Sequence, residues 1–589
     1  MNEQLHERLI TDTETLRDLL SECSTETIVG MCSVKLVRWH TGSAEPSPLM
    51  SPLRQVFFLL GLMLTSPEPT NPKDFGTEGY EESVAILNRL NSAYAEMYWP
   101  EQGELSEMPK EWRHQREVSM GAFLHYFNVL IIASVEQLRD RIQKYLVPFD
   151  TEIKSLTGLK ASEVLDVANW ISQKLQEAAD ELGKLRPTMQ AEYKARLELL
   201  KEADREGWDI DRLRSESLSG DWGSSASKIM SIIDGQMKFD PDDLQAEFGK
   251  RIAKSYLSLF ASKRGEVAEL TYPTEQNPAE RKPLFHLVDG RVGCPSANML
   301  YIAANNVLED LIRTSTHDQA FLRNRDRVLE EHVSYEFARV FKEAELFLEN
   351  VYETPKNAFE HDLVILWRGH LLVIEAKASP PIEPFRDPER AFVRIRDSFR
   401  SETGIQGAFN QAIRLHHELE EGISIQLYDS RGRQVASIEA SKVAEVIPIC
   451  VTRDDFGALA VDLTFLLEKE ASDPFPWAVN VNDLAYLIDA WEYFDWGPDE
   501  LVDYLLERNN LHGLVLSSDE LEIAGFHVEH GGLETLLQQS GKRTLLSVNY
   551  SDVFDRVYAT SMGGPPVVYS PSPPKFHSIA ENVLRVSPN

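Results

Sequence analysis

The chain has 589 residues, of which 60 are basic and 94 acidic, so its formal charge is −34. That length is too great for one hydrophobic core and predicts two to four domains, while a content of 42% hydrophobic and 26% charged residues excludes disorder as the main state. The acidic excess excludes a protein that coats nucleic acid nonspecifically, because phosphate binding needs basic surface, but it leaves room for a nuclease whose positive groups are gathered in one cleft.

The amino terminus, MNEQLHERLITDTETL, lacks the apolar core of a secretory signal. To about residue 150 apolar residues recur at helical spacing, in 9–20, 56–64, 84–97 and 123–145. Proline-rich breaks at 45–52 and 67–72 separate them. The runs 56–64 and 129–133 are too short to cross a bilayer. From 151 to about 260 the pattern stays helical but is more charged, as in EYKARLELLKEADREGW at 192–208, and predicts a solvated helix pair with a loop at 220–225. Residues 285–288 and 292 then flank Asp289-Gly290 and predict a small hairpin, followed by helices over 297–314 and 326–345. Cys23, Cys32, Cys294 and Cys450 are scattered and form no CxxC pair, so neither a zinc ribbon nor a disulfide framework is indicated. A cytoplasmic protein with reduced thiols and no membrane partner is expected.

The next stretch, NAFEHDLVILWRGHLLVIEAKASPP over 357–381, carries the densest chemical information. Two apolar runs flank Arg368-Gly369, a two-residue hairpin turn. With Trp367 paired to His370, Asp362 faces Glu375 on one side of the sheet, and Lys377 shares the face of Glu375 two residues on. Two hard carboxylates beside an ammonium suit a divalent metal. E-x-K triplets also begin at Glu152, Glu192 and Glu280, but only Glu375 follows an apolar strand and has an aspartate opposite. A proline-rich loop at 379–388 leads into Arg386, Arg390, Arg394, Arg396 and Arg400, a local positive stretch that could line a phosphate-binding cleft. Asp387, Glu389 and Asp397 would partly neutralise it. A helix over 405–419, carrying Arg414, His416 and His417, and strands over 424–427 and 443–451 complete an α/β pattern around a mixed sheet.

Residues 473–526 read as two or three helices with acidic caps, in which Trp477, Trp491 and Trp496 are core residues. His512, His527 and His530 are spaced too irregularly for a metal site. The end, from Thr560, reads as a flexible proline-rich tail. No fixed repeat and no Walker A pattern occurs. The predicted fold class is therefore multidomain α plus α/β, divided as 1–150, 151–265, 266–320, 321–455, 456–555 and 556–589.

Asp362 followed by Glu375-Ala376-Lys377 resembles the PD-(D/E)XK nuclease superfamily, the restriction-endonuclease-like fold, over roughly residues 325–451. The resemblance implies that Asp362 and Glu375 ligate Mg²⁺, with Mn²⁺ a substitute, and that Lys377 positions or activates water. It further implies a supporting glutamate on the preceding helix, for which Glu330 is the choice over Glu331 and Glu336. A glutamine on the following helix is implied too, for which Gln411 is preferred to Gln406. His361 stands where the family has proline. His361-Asp362 is also similar to an HD phosphohydrolase pair, but no second His/Asp set accompanies it. The expected activity is hydrolysis of DNA, in antiviral defence or DNA processing, by a homo-oligomer or with protein partners. An RNA-directed nuclease and a catalytically silent scaffold in a larger complex are the alternatives.

Overall fold

The computed structural model describes residues 3–40, 47–100, 107–128, 134–209, 211–212, 237–381, 387–538 and 543–572. Arg386, the 220–225 loop and the last part of the proline-rich end lie outside them. The chain forms two compact units, one from residues 2–93 and 133–321, the other from 94–132 and 322–589.

The first unit is mainly helical. Buried Leu9, Leu16 and Leu20 mark the core stripe of helix Glu3–Ser21, and helix Pro52–Met63 is buried along nearly its whole length. The expected helix over 123–145 is instead two elements. Helix Lys110–Asn128 falls in the other unit, and a new helix, Val135–Arg141, starts at a capping box in which Ser134 and Gln137 exchange hydrogen bonds of 3.2 Å. The charged region holds a 46-residue helix, Ala161–Glu206, which runs through Pro187 before ending at left-handed Gly207, and a second helix, Pro241–Phe260. The predicted hairpin is present as Leu284–His286 against Val292–Gly293, inside a small four-stranded sheet.

The second unit is a mixed α/β fold. Its elements are α1 (Lys110–Asn128), α2 (Asp318–Val340), β1 (Leu346–Tyr352), β2 (Glu360–Trp367), β3 (His370–Lys377), α3 (Pro388–Phe399), α4 (Ile405–Glu420), β4 (Ile425–Tyr428), β5 (Gln434–Ile438), β6 (Glu445–Thr452), β7 (Trp477–Asn480), α5 (Val481–Tyr493), α6 (Pro498–Asn509), α7 (Glu520–His530) and α8 (Asp552–Ser561). The seven strands form one sheet in the order β7-β6-β3-β2-β1-β4-β5. Strands β3, β6 and β7 are mutually parallel and the remaining pairs antiparallel. At the β2–β3 turn Arg368 has φ +48° and Gly369 φ +83°, the positive values that a tight two-residue hairpin demands.

Both faces of the sheet are covered, which explains the unbroken apolar runs of β2 and β3. Leu363, Ile365, Leu372 and Ile374 pack with Leu329, Val333 and Phe337 of α2 and with the apolar faces of α5 to α8. Val364, Leu366, Leu371 and Val373 pack on Ala412 and Leu415 of α4. Residues 456–555, expected as a separate appendage, thus share one core with the sheet. Glu520 of α7 fastens them: its carboxylate takes Trp477 Nε1–H at 2.7 Å, the Tyr504 hydroxyl, and the fully buried Arg508 guanidinium at 2.8–3.0 Å. The described part of the proline-rich end is likewise held, Val567 by the Tyr493 hydroxyl and Ser572 by the Glu529 carbonyl, rather than being a free tail.

Candidate active site

Ladder pairing between β2 and β3 runs from Trp367↔His370 to Leu363↔Ile374. Beyond that pair the neighbours part company. Strand β2 stays paired to β1 as far as Glu360, and β3 stays paired to β6 as far as Lys377. The sheet therefore forks, and Asp362, Glu375 and Lys377 lie in the fork.

Asp362 does not continue the ladder opposite Glu375. Its Oδ2 accepts the backbone N–H of Ala376 at 2.7 Å, so a side chain closes the gap that a strand carbonyl would have filled. The Asp362 carboxyl is pushed up to about 7, first by burial and then by the charge of Glu375, against the Ala376 N–H and Lys377. Glu375 is 0% exposed. One of its oxygens, Oε1, accepts from His361 Nδ1 at 2.9 Å, while Oε2 is buried with no hydrogen-bond partner among the described residues and has the Lys377 ammonium 3.9 Å away. Lys377 Nζ donates to Gln411 Oε1 at 2.6 Å, and Gln411 Nε2 reaches the Glu360 carbonyl at 3.4 Å. Gln406, the other glutamine considered, is occupied elsewhere, exchanging bonds of 2.7 and 2.8 Å with the Glu468 backbone.

Glu330 of α2 joins this field. Its carboxyl is pushed up to about 7 by burial and then by Asp362, Glu360 and Asp326, with Lys377 opposing. The two alternatives on the same helix do not take part. Glu331 is exposed and pairs with Arg327, and Glu336 is buried between His332 at 3.3 Å and Arg339 at 2.7 Å.

The sequence reading missed the device behind the carboxylates. His361 is 0% exposed, with Nδ1 on Glu375 and Nε2 on Glu353 Oε1 at 2.8 Å. Arg414 of α4 closes the row, donating to the same Glu353 oxygen at 3.0 and 3.1 Å and lying over the Phe359 ring. Burial alone would lower the imidazole, but the hydrogen bonds to Glu353 and Glu375 outweigh it and hold His361 up to about 9. With both nitrogens engaged, His361 has none left for a metal, which sets this pair apart from an HD-type arrangement. The only local signal was a histidine in the place of proline.

The arginine stretch is α3, with Ala391, Ile395 and Phe399 buried. Arg390 pairs with Asp387, Arg396 with Asp397 and Arg400 with Glu468, whereas Arg394 is exposed with no ion pair among the described residues. His416 and His417 are bound to Glu420 and Asp473, away from the fork.

The donor set suits a hard divalent cation: a buried carboxylate oxygen without a hydrogen-bond partner among the described residues, two carboxyls raised by burial and by neighbouring carboxylates, and a nearby ammonium. No group of three or more ligating side chains stands preassembled among the described residues, so an ion would draw Asp362, Glu375 and Glu330 together. No described helix is long and apolar enough to cross a membrane. In comparison with known proteins the chain matches no protein-family model, no curated protein and no solved structure.

Proposed function

We propose that the second unit is a metal-dependent nuclease of the PD-(D/E)XK type that hydrolyses phosphodiester bonds in DNA. The observation that carries this reading is the bare, buried Oε2 of Glu375 between Asp362 and the Lys377 ammonium, at a fork in a sheet whose faces are otherwise sealed. Leaving a buried carboxylate oxygen unsatisfied costs about 1–3 kcal/mol. A structural hairpin end would gain nothing from it.

Asp362, Glu375 and Glu330 would hold Mg²⁺ or Mn²⁺. The bound ion would lower the pKa of a coordinated water and offset charge building on the phosphate. Lys377, fixed by Gln411, is placed to orient the attacking water and to steady its hydroxide form. His361, backed by Glu353 and Arg414, keeps the Glu375 carboxylate from turning away. Arg390 and Arg394 on α3 are exposed cations available to a phosphate backbone. A role in prokaryotic antiviral defence or DNA processing, in the cytoplasm and within a homo-oligomer or a protein complex, fits this design.

Purified full-length protein is incubated with linear, circular and single-stranded DNA and with RNA, in Mg²⁺, Mn²⁺ or EDTA, beside Asp362→Ala and Lys377→Ala. Cleavage of DNA that needs a divalent ion and drops by about 10³ or more in both variants supports the reading. Cleavage confined to RNA reassigns the substrate. Its absence with every metal leaves the fork as the silent remnant of a scaffold, and its survival in both variants removes the chemistry from this site.

A further inference from the structure

In this acidic chain the first unit gathers, among the described residues, four lysines without ion pairs around one cleft. A cleft of about 610 Å³ opens along helix Pro241–Phe260 and is lined by Lys250, Lys254, Lys263 and Lys282. Three elements supply them. Lys250 and Lys254 are one helical turn apart on that helix. Lys263 follows strand Ala261–Ser262, and Lys282 precedes strand Leu284–His286, which pairs in parallel with it. Because these two strands are in register at Ser262↔Phe285, the next positions bring Lys263 beside His286, another lining residue. The His286 imidazole is held below its ordinary range by partial desolvation and, against Glu266, by Lys263 and Lys282.

The lysines of this unit differ in their pairing. Lys73, Lys144, Lys174, Lys201 and Lys238 of the same unit each have a carboxylate within 4.0 Å. None of the four cleft lysines has an ion pair among the described residues. Lys282 donates only to the Ser258 carbonyl, at 3.3 Å. The lining carboxylates are Asp242 and Glu266, so lysines outnumber them two to one. Four ammonium groups against two carboxylates leave the cleft lining net positive, a charge that a bound anion would offset. The volume is in the range of small-ligand sites and too small for a folded partner.

From this we infer that the first unit binds a polyphosphate-bearing small molecule of mononucleotide size in the cleft lined by Lys250, Lys254, Lys263 and Lys282. Lysine serves such a ligand as a mobile point charge, without the planar fork that would select a single carboxylate. The inference does not depend on the nuclease reading, since it concerns other residues in another unit.

Binding of ATP, of inorganic tripolyphosphate and of a short single-stranded oligonucleotide is measured by calorimetry on the full-length protein in EDTA. The comparison variants are Lys250→Glu/Lys254→Glu, Lys263→Glu/Lys282→Glu and a control, Lys342→Glu/Lys356→Glu, which changes the net charge equally at exposed positions of the other unit. Circular dichroism identifies any variant that fails to fold, and the remaining double reversal then carries the test. Expected are binding of ATP and tripolyphosphate that weakens with salt, a loss of about tenfold or more in each cleft variant, and no change in the control. No binding of either small polyphosphate, equal weakening in control and cleft variants, or binding of the oligonucleotide alone would overturn the inference.

Discussion

At the scale of single residues, the fork holds charge that the fold would be better off without. The Asp362 carboxyl, raised from 3.8 to about 7, is disfavoured in its ionised form. For an acid raised on folding the penalty is absent below the unfolded value and complete above the folded one. Asp362→Asn keeps an acceptor for the Ala376 N–H and removes the repulsion. In urea unfolding at pH 8 without divalent ions it is therefore expected to gain roughly 2–4 kcal/mol while losing cleavage. A loss of stability instead would mean that Asp362 serves as a structural salt-bridge partner. His361 makes the complementary case. Removing the buried cation between Glu353 and Glu375 leaves Glu375 without its hydrogen-bond donor and Glu353 with Arg414 alone, so His361→Ala is expected to cost about 3–5 kcal/mol in the same unfolding measurement. That Asp362, Glu375 and Lys377 gather at one end of the hairpin was legible in the sequence, because a strand, a two-residue turn and a strand bring them together locally. The Arg414–Glu353–His361–Glu375 row was not, since α4, the β1 end and β2 meet only in the folded sheet.

At the scale of elements, the hairpin, α4 and β6 could be read because their apolar periods are long and their breakers clear. Strand β1 is unassigned by sequence between the helix expected over 326–345 and the hairpin: Glu349 and Asn350 interrupt its apolar pattern, and Asn350 takes a left-handed φ of +51°. Strand β7, WAVN, is four residues long and runs straight into α5, so its period never becomes visible. Its place in the sheet is secured from outside by the Glu520 cluster. Glu520→Gln keeps the shape but leaves Arg508 charged and fully buried without a counterion. We expect about 3–5 kcal/mol of destabilisation and an earlier loss of near-ultraviolet tryptophan dichroism on heating, as the Trp477 acceptor loses its charge and the cluster loosens. A shift below about 1 kcal/mol would show that water or backbone replaces the carboxylate.

At the scale of the whole molecule, acid resistance is set partly by one histidine. His527 is enclosed by Trp491, Trp496 and Tyr504, and its buried Nδ1 has no hydrogen-bond partner among the described residues. Burial pushes its imidazole down to about 4, so the fold favours the neutral ring. That contribution is complete above the ordinary value near 6.5 and is lost as pH falls through 4. The stability advantage of the native chain over His527→Gln should shrink by about 3 kcal/mol between pH 7 and pH 4, in paired denaturant titrations. An unchanged difference would mean that the ring titrates in the fold as it does in the unfolded chain. The forked sheet has its own consequence. It consists of two leaves, β7-β6-β3 and β2-β1-β4-β5, sewn together by the short seam from Trp367↔His370 to Leu363↔Ile374 and fastened at its open end by the Asp362–Ala376 and His361–Glu375 hydrogen bonds. The Ala376 amide is thus a latch whose hydrogen-exchange rate reports whether Asp362 is holding the leaves shut or has swung to a cation. Protection of that amide should fall on adding Mn²⁺ while Ile374 and Leu372, inside the seam, stay slow.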